Sequence, residues 1–257
     1  MPGLAKTQKF MLNTATVMIG PQADLHNLNP AEHSIGLVKN FTLTAEPSYT
    51  ELGQGVKNEI VFSVLTNNPV RATMETYEYT ARNLAYGLGL ADAESFTALT
   101  ATTAVNGAIV AGSPPEFDLV VDDNALFSAG DFILIKNDSE DDFVVREIAS
   151  TSTGEVITVT MALPDIADNA QVLLVNKLAI GSKDDQPYYA AKISGKLADG
   201  TVCVIEIPKL RIIKGFSLAF TSQDFGNLPF EFTIYSQVTT DPFYTEFGGD
   251  QSRMYLQ

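Results

Sequence analysis

The sequence predicts a mainly β protein: an antiparallel β-sandwich or barrel with one short flanking helix, plus a small inserted β domain. Most segments with a clear pattern are short and rich in β-branched or aromatic residues. Gly, Pro, Asn and Asp bound these segments, and short connections favour antiparallel neighbours. With 257 residues, of which 45% are apolar, the chain is long enough for one large domain or two modest ones.

Three strands are predicted in the first part of the chain. LVKNFTLTAE (37–46) and EIVFSVLT (59–66) are joined by a polar loop, PSYTELGQGVKN (47–58). The next segment, 69–79, has the composition of either a helix or a strand. We favour a strand because β-favouring residues such as Val70, Thr73 and Tyr77 follow an Asn-Asn turn.

One short amphipathic helix is predicted after that strand. Thr80 is a suitable N-cap, and Gly87 and Gly89 are expected to end the helix. The residues at the i, i+3, i+4 and i+7 positions are apolar, which predicts that they form the packing face. They are Ala81, Leu84, Ala85 and Leu88.

The composition changes in the middle of the chain. Residues 96–180 contain thirteen acidic and three basic residues, a net formal charge of −10, and begin with an Ala/Thr-rich stretch followed by Pro114-Pro115. We therefore predict an acidic inserted β domain at 96–180 within an outer β domain formed by 1–95 and 181–257. Its predicted strands are 131–137, 143–150, 155–163 and 171–177, and those of the second half of the outer domain are 188–197, 201–207, 210–222 and 228–238.

The charge balance excludes several classes of function. A net charge of −15 opposes non-specific DNA binding and binding to anionic membrane surfaces. No apolar run approaches the roughly 20 residues that cross a bilayer. Polar residues interrupt the apolar stretch that follows Lys6 and Lys9, so no signal peptide is expected.

Residues that often carry chemistry give no catalytic or metal site. We expect the lone Cys203 to be an inert core thiol, and His26 and His33 lie in a Pro/Asn-rich stretch that does not fix their spacing. The acidic run Asn137–Asp142 is the best calcium candidate, but it lacks the Gly and Glu of an EF-hand and is predicted to be a solvated hairpin tip. The Gly-x-Gly pairs are not phosphate loops. We expect no enzyme, cofactor or metal.

Two stretches of the chain resemble bacteriophage tail tube proteins, the major tail proteins of long-tailed phages. In 34–90, a strand, a polar loop, a returning strand and a third strand lead into a helix that carries the run YEYTARNLA, Tyr77 to Ala85. The segment 214–243 is similar to the paired closing strands of that family. The resemblance covers roughly 1–95 and 181–257, and the acidic segment departs from the minimal pattern.

The resemblance implies a structural virion protein. Six copies would form a ring, and stacked rings would form a tail tube that conducts DNA into the host. The partners it implies are further copies of the chain, the tape measure, tail terminator and tail-tip or baseplate proteins, and a sheath if the tail is contractile. Assembly would take place in the bacterial cytoplasm. By similarity, the 47–58 loop would contact the next ring through Tyr49, Glu51, Leu52, Gln54 and Lys57.

The insert is expected on the outside of such a tube because a strongly charged segment is difficult to bury. This placement favours a non-contractile tail. The alternative function is a β-rich carbohydrate- or receptor-binding module of a virion or cell surface. That function would require an aromatic pocket, for which Tyr188-Tyr189 and Phe243-Tyr244 are the candidates.

Overall fold

The computed structural model describes residues 15–54, 59–137, 142–152, 154–181, 185–197, 200–218 and 226–257. The fold is mainly β, with antiparallel sheets, a curled half-barrel and a few short helices, which confirms the predicted fold class. The chain divides into two compact units. Unit 1 consists of Met1–Ser95 and Ala179–Gln257, and unit 2 of Phe96–Leu178.

The strands and helices have the following bounds. The first eight strands are β1 (Thr16–Pro21), β2 (Val38–Ala45), β3 (Ser48–Gln54), β4 (Glu59–Asn67), β5 (Val70–Thr76), β6 (Thr102–Ala104), β7 (Asp118–Val120) and β8 (Phe132–Lys136). The others are β9 (Phe143–Ser152), β10 (Val156–Val159), β11 (Gln171–Val175), β12 (Tyr189–Lys196), β13 (Val202–Lys214), β14 (Leu228–Ile234) and β15 (Arg253–Leu256). The α-helices are α1 (Pro30–His33), α2 (Ala81–Leu88) and α3 (Tyr244–Phe247), and 3₁₀ helices span Gln22–Asn27 and Ala93–Ser95.

Unit 1 is built on an antiparallel sheet in the order β1-β12-β13-β14-β5-β2, with β15 added beside β13. Its central strands alternate as expected when one face of a sheet is buried. In β14, every second residue from Leu228 to Ile234 is buried, and β5 shows the same period from Val70 to Thr76. The core is therefore formed by one face of this sheet.

Strand β13 corrects the sequence prediction of two separate strands at 201–207 and 210–222. It runs without interruption through Pro208 and ends at Lys214. The pairing with β12 shifts register here, from Ala191 opposite Ile207 to Tyr189 opposite Leu210. A bulge leaves Pro208 outside the regular ladder, so the proline, which has no N–H to donate, does not break the strand.

Helix α2 begins and ends where its sequence signals predict. The Thr80 hydroxyl accepts a hydrogen bond from the Asn83 N–H at 3.1 Å, which caps the N-terminus. At the other end, Gly89 takes a left-handed conformation with φ of 71°. The helix lies very close to the chain after β13: a Cβ added to Gly215 would lie 2.6 Å from the Cα of Gly87. This approach requires glycine at both positions.

Unit 2 is a small closed barrel. Its sheet has the order β6-β11-β8-β9-β10-β7. An antiparallel bridge between Val105 and Val121 joins the two outermost strands, and the Asn106 N–H donates to the Val120 carbonyl at 2.9 Å. Inward-facing aliphatic residues such as Ile133, Ile135 and Val172 are fully buried. The unit therefore has its own hydrophobic core.

The chain ends of unit 1 contain structure that the sequence analysis did not predict. Strand β1 pairs with β12, and the stretch that holds the two histidines forms the first 3₁₀ helix and α1. The C-terminal segment packs on its own unit: β15 pairs with β13, and Phe247 is buried. Both segments contain several loop-forming residues, including Pro and Gly. Their sequence pattern therefore did not predict these short helices and strands.

Candidate assembly surface

Strands β3 and β4 form a hairpin that pairs with no other strand among the residues that the structure describes. The two strands make a separate two-stranded sheet, and every residue of both is exposed. This corrects the prediction of a polar loop at 47–58, because Ser48–Gln54 is a strand. Its sequence, SYTELGQ, lacks strict apolar alternation because neither of its faces is buried in its own unit.

The register of the hairpin gives both of its faces apolar side chains. Leu52 lies opposite Phe62 on one face, and each is 62% exposed. Tyr49 lies opposite Leu65 on the other face. Bulges next to both pairs add twist to the hairpin. The remaining large apolar residues, all in β4, are Ile60, Val61 and Val64.

The structure describes four of the five residues predicted to contact the next ring. Tyr49, Glu51, Leu52 and Gln54 lie in β3 and are exposed, whereas Lys57 lies outside the described residues. Strand β4, which the sequence analysis treated only as the returning strand, provides most of the apolar surface. The run EIVFSVL could have indicated this surface from the sequence, because a strand with so many apolar residues normally has both of its faces covered by other parts of a protein.

Physical reasons favour coverage of such a hairpin by another surface. Isolated two-stranded hairpins have marginal stability in water, and large exposed apolar patches on monomers are rare. Glu51 in the middle of β3 and Glu59 at the start of β4 are also exposed, so the surface combines apolar area with negative charge. Apolar area is typical of the centre of protein–protein contacts, whereas negative charge repels the phosphates of nucleic acids.

Strand edges of the unit 1 sheet are also available for assembly. Within the described residues, strand β2 pairs with β5 on one side and ends the sheet on the other. Strand β15 pairs with β13 and with no other named strand in the described part of the chain. Unpaired edges of this kind accept a strand from another chain.

The packing of α2 differs from the face that its apolar period suggests. Of the four residues predicted to pack, Ala85 is buried, whereas Ala81, Leu84 and Leu88 are half-buried. The other buried positions are Asn83 and Tyr86. The Asn83 amide donates to the carbonyls of Ile35 at 3.0 Å and Glu78 at 2.9 Å. Helical periodicity missed it because polar residues are normally assigned to the outer face.

Arg82 on the same helix holds the segment that precedes β2. Its guanidinium donates to the carbonyl of Glu32 and, at 2.8 Å, to that of Ser34. Nearby, the Thr76 hydroxyl donates to the Ile35 carbonyl at 3.0 Å. Helix α2 therefore fixes the chain that leads into β2 and from there into the hairpin.

A buried charge cluster fixes the C-terminal segment. The Lys209 ammonium lies 2.7 Å from a carboxylate oxygen of Asp241 and 4.3 Å from the centre of the Tyr188 ring, which also stacks with Arg211. Burial raises the pKa of Asp241, but hydrogen bonds from Lys209 and from the Val238 N–H outweigh it, so that the pKa is lowered. The carboxylate stays charged and paired.

The aromatic pairs do not form an open platform for a ligand. Tyr189 is buried, and its hydroxyl donates to the Leu90 carbonyl at 2.6 Å. Burial raises the pKa of Tyr189 and, together with Glu94, that of Tyr86, so both phenols stay neutral. Phe243 packs on Phe247 and His26. The pocket beside Tyr188 and Tyr189 has a volume of about 50 Å³, well below the roughly 300 Å³ of a small ligand site.

The candidate metal ligands have other contacts. His26 pairs with Glu246 at 2.9 Å, and the His33 Nδ1 accepts from the Asn29 N–H at 3.2 Å. The acidic run falls mostly on 138–141, outside the described residues, between Asn137 and Asp142, whose backbones are hydrogen-bonded at 3.0 Å. Cys203 is buried. Among the residues that the structure describes, no three His, Cys, Asp or Glu side chains converge.

No helix in the described ranges has the length and apolarity needed to span a membrane. In comparisons with known proteins, no family model matches the chain, and no curated protein matches it either.

Proposed function

We propose that this chain is a structural, non-enzymatic subunit of a bacteriophage tail tube, in which six copies form a ring and stacked rings conduct DNA into the host. The observation that carries this proposal is the β3–β4 hairpin. Both of its strands are exposed at every residue, it has apolar side chains on both faces, and it pairs with no other strand in the described part of the chain. Its place in the chain is that of the ring-contacting loop in the family that 34–90 resembles.

The hairpin and the strand edges suit repeated head-to-tail contacts. A projecting hairpin on one copy fits a different surface of the next copy, and such a heterologous contact closes into rings or continues as a stack. The open edge of β2 continues into the hairpin through only two residues, Glu46 and Pro47. Edge pairing between copies would therefore extend the sheet next to the stacking contact.

The charge distribution suits a conduit. Outside residues 96–180 the chain carries eighteen acidic and thirteen basic residues, a net charge of −5. A tube wall of this sign repels phosphates, so DNA slides through it without binding. Unit 2, with its own core and its net charge of −10, belongs on the outside of the tube in this proposal.

Matched substitutions of exposed leucines test the proposal. Leu52→Asp places a charge on the hairpin and should abolish stacking, as measured by light scattering and sedimentation of the full chain. Leu126→Asp makes the same change at a residue that is 69% exposed in unit 2, and it should assemble like the unmodified protein. Normal assembly of Leu52→Asp would overturn the assignment of the hairpin. A monomer that binds glycans would favour the alternative module.

A further inference from the structure

The outer surface of the unit 2 barrel has an apolar face on three neighbouring strands. Strand β8 lies between β9 and β11, and the register aligns Leu134 with Val145 on one side and with Leu173 on the other. The next row aligns Phe132 with Val175. All these side chains point away from the core because their neighbours Ile133, Ile135 and Val172 are buried.

This face is accessible at one side. Phe143 and Val145, both on β9, are 49% and 51% exposed, and the β8 and β11 members are half-buried. We call Phe132, Leu134, Phe143, Val145, Leu173 and Val175 the barrel face. Clusters of apolar side chains on a protein surface often mark interaction sites. We therefore expect these six side chains, on an otherwise acidic domain, to contact a partner.

The charges around the barrel face differ from those of the rest of unit 2. Two of the three basic residues of the unit border it: Lys136 lies opposite Phe143, and the Lys177 ammonium lies 4.6 Å from the centre of the Phe132 ring. One acid, Glu147, lies opposite Phe132. The described charges on this face are thus two positive and one negative, although the acidic run 138–142 follows Lys136 in the sequence and unit 2 carries a net charge of −10.

The positions of these charges make the face self-complementary. Lys136 ends β8 next to Phe143, whereas Glu147 lies at the other end of the same strand pair, opposite Phe132. When a second copy of the face is turned by a two-fold rotation that reverses its strands, each Lys136 comes over the end of the strand pair that carries Phe132 and Glu147 of the other copy. The two apolar rows then pack on each other as in a face-to-face sheet pair.

We propose that the barrel face packs on the barrel face of a second copy of this chain, with antiparallel strands and with Lys136 of each copy paired to Glu147 of the other. This contact is additional to the ring and stacking contacts of the proposed tube, since it has two-fold symmetry and involves unit 2 alone. In tubes it would link unit 2 domains of separate rings or tubes.

The apolar contact and the net charge of unit 2 together predict how the association of two copies depends on salt concentration. Repulsion between two acidic units acts over distances up to about the Debye length, which is about 14 Å at 0.05 M salt and about 4 Å at 0.5 M. The apolar contact is unaffected by this screening. Association through the barrel face should therefore strengthen as salt increases over that range, whereas association driven by charge attraction weakens.

A charge-reversal mixing experiment tests the two-fold register. Lys136→Glu alone and Glu147→Lys alone each create two like-charge contacts, so each variant should dimerise roughly tenfold more weakly by sedimentation. Mixed in equal amounts, the two variants form heterodimers in which both contacts are again opposite in sign. The mixture should therefore associate like the unmodified protein. Both measurements use the full chain with Leu52→Asp, so that hairpin contacts are weakened.

Lys196→Glu and Asp122→Lys are the matched controls, since they make the same charge changes at exposed residues away from the barrel face. Neither the control variants nor their mixture should change dimerisation. Failure of the Lys136→Glu and Glu147→Lys mixture to recover association would overturn the proposed contact. An equal loss in the single control variants, with equal recovery in their mixture, would overturn it as well. Electron microscopy of the same charge variants without Leu52→Asp shows separately whether rings form, which keeps this result distinct from the test of the tube.

Discussion

The ammonium of Lys209 lies 2.7 Å from the carboxylate of Asp241, and the two side chains are only 7% and 11% exposed. The pair connects β13 to the segment that follows β14. The same carboxylate oxygen accepts a hydrogen bond from the Val238 N–H at 2.7 Å. This contact holds the C-terminal segment on its own unit, so it determines which surfaces of unit 1 are free for assembly.

Asp241→Asn should therefore destabilise unit 1. The substitution leaves the Lys209 charge buried without its counter-ion, and breaking a buried pair in this way costs about 3 kcal/mol. Asp185→Asn is the matched control, because Asp185 pairs with Arg211 at 3.0 Å on the surface. It should cost less than about 1 kcal/mol. Urea unfolding of both variants measures the difference, and equal costs would contradict the role assigned to Asp241.

The same pair predicts how stability depends on pH. The pKa of Asp241 is lower in the folded protein, so the folded state binds the proton less well than the unfolded chain does. The contribution is thus fully present above the unfolded pKa of about 3.9 and is lost as the pH falls through the lower folded value. The difference in unfolding free energy between the unmodified protein and Asp241→Asn should be constant near neutral pH and shrink below about pH 4. A difference that stayed constant at acid pH would exclude this linkage.

The buried amide of Asn83 predicts an unusual ranking of asparagine substitutions. Asn83→Ala removes donors from the carbonyls of Ile35 and Glu78, and we expect a loss of about 2 kcal/mol. Asn27→Ala removes an exposed amide and should cost about 0.5 kcal/mol or less. Thermal unfolding compares the two variants, and a cost at Asn83 no larger than that at Asn27 would contradict the bonding described above.

The approach of α2 to the end of β13 predicts opposite effects of two glycine substitutions. Gly215→Ala puts a Cβ 2.6 Å from the Cα of Gly87, where backbone has to move, and should cost about 1–3 kcal/mol. Gly195→Ala meets nothing within 4 Å and should be neutral or stabilising by about 0.5 kcal/mol. Denaturant midpoints measure both effects, and equal midpoints would show that the helix does not approach so closely.

Local signals in the sequence predicted the parts of the fold that depend on local chemistry. The bounds of α2 follow from Thr80 and Gly89, which satisfy backbone groups at the helix ends. The alternating pattern of β14 predicts its buried face, although the structure ends this strand at Ile234 rather than 238. Such signals involve residues only a few positions apart.

Features that depend on distant contacts could not be predicted in this way. The continuity of β13 through Pro208 depends on a register shift against β12, and the burial of Asn83 depends on the carbonyl of Ile35, forty-eight residues away. Strand β3 was missed because neither of its faces is buried in its own unit, so its sequence lacks the alternation of apolar residues that predicts a strand. The contact residues in β3 were predicted from the resemblance to tail tube proteins, whereas the exposed apolar surface of β4 was identified only from the structure.

Electron microscopy of the purified, unmodified protein over a concentration series tests the central claim most directly. The proposal predicts hollow sixfold rings or tubes of stacked rings. The stacked tubes should be absent from Leu52→Asp and present in Leu126→Asp. Particles that remain monomeric at every concentration, with or without added tail-tip components, would contradict the assignment of this chain as a tube subunit.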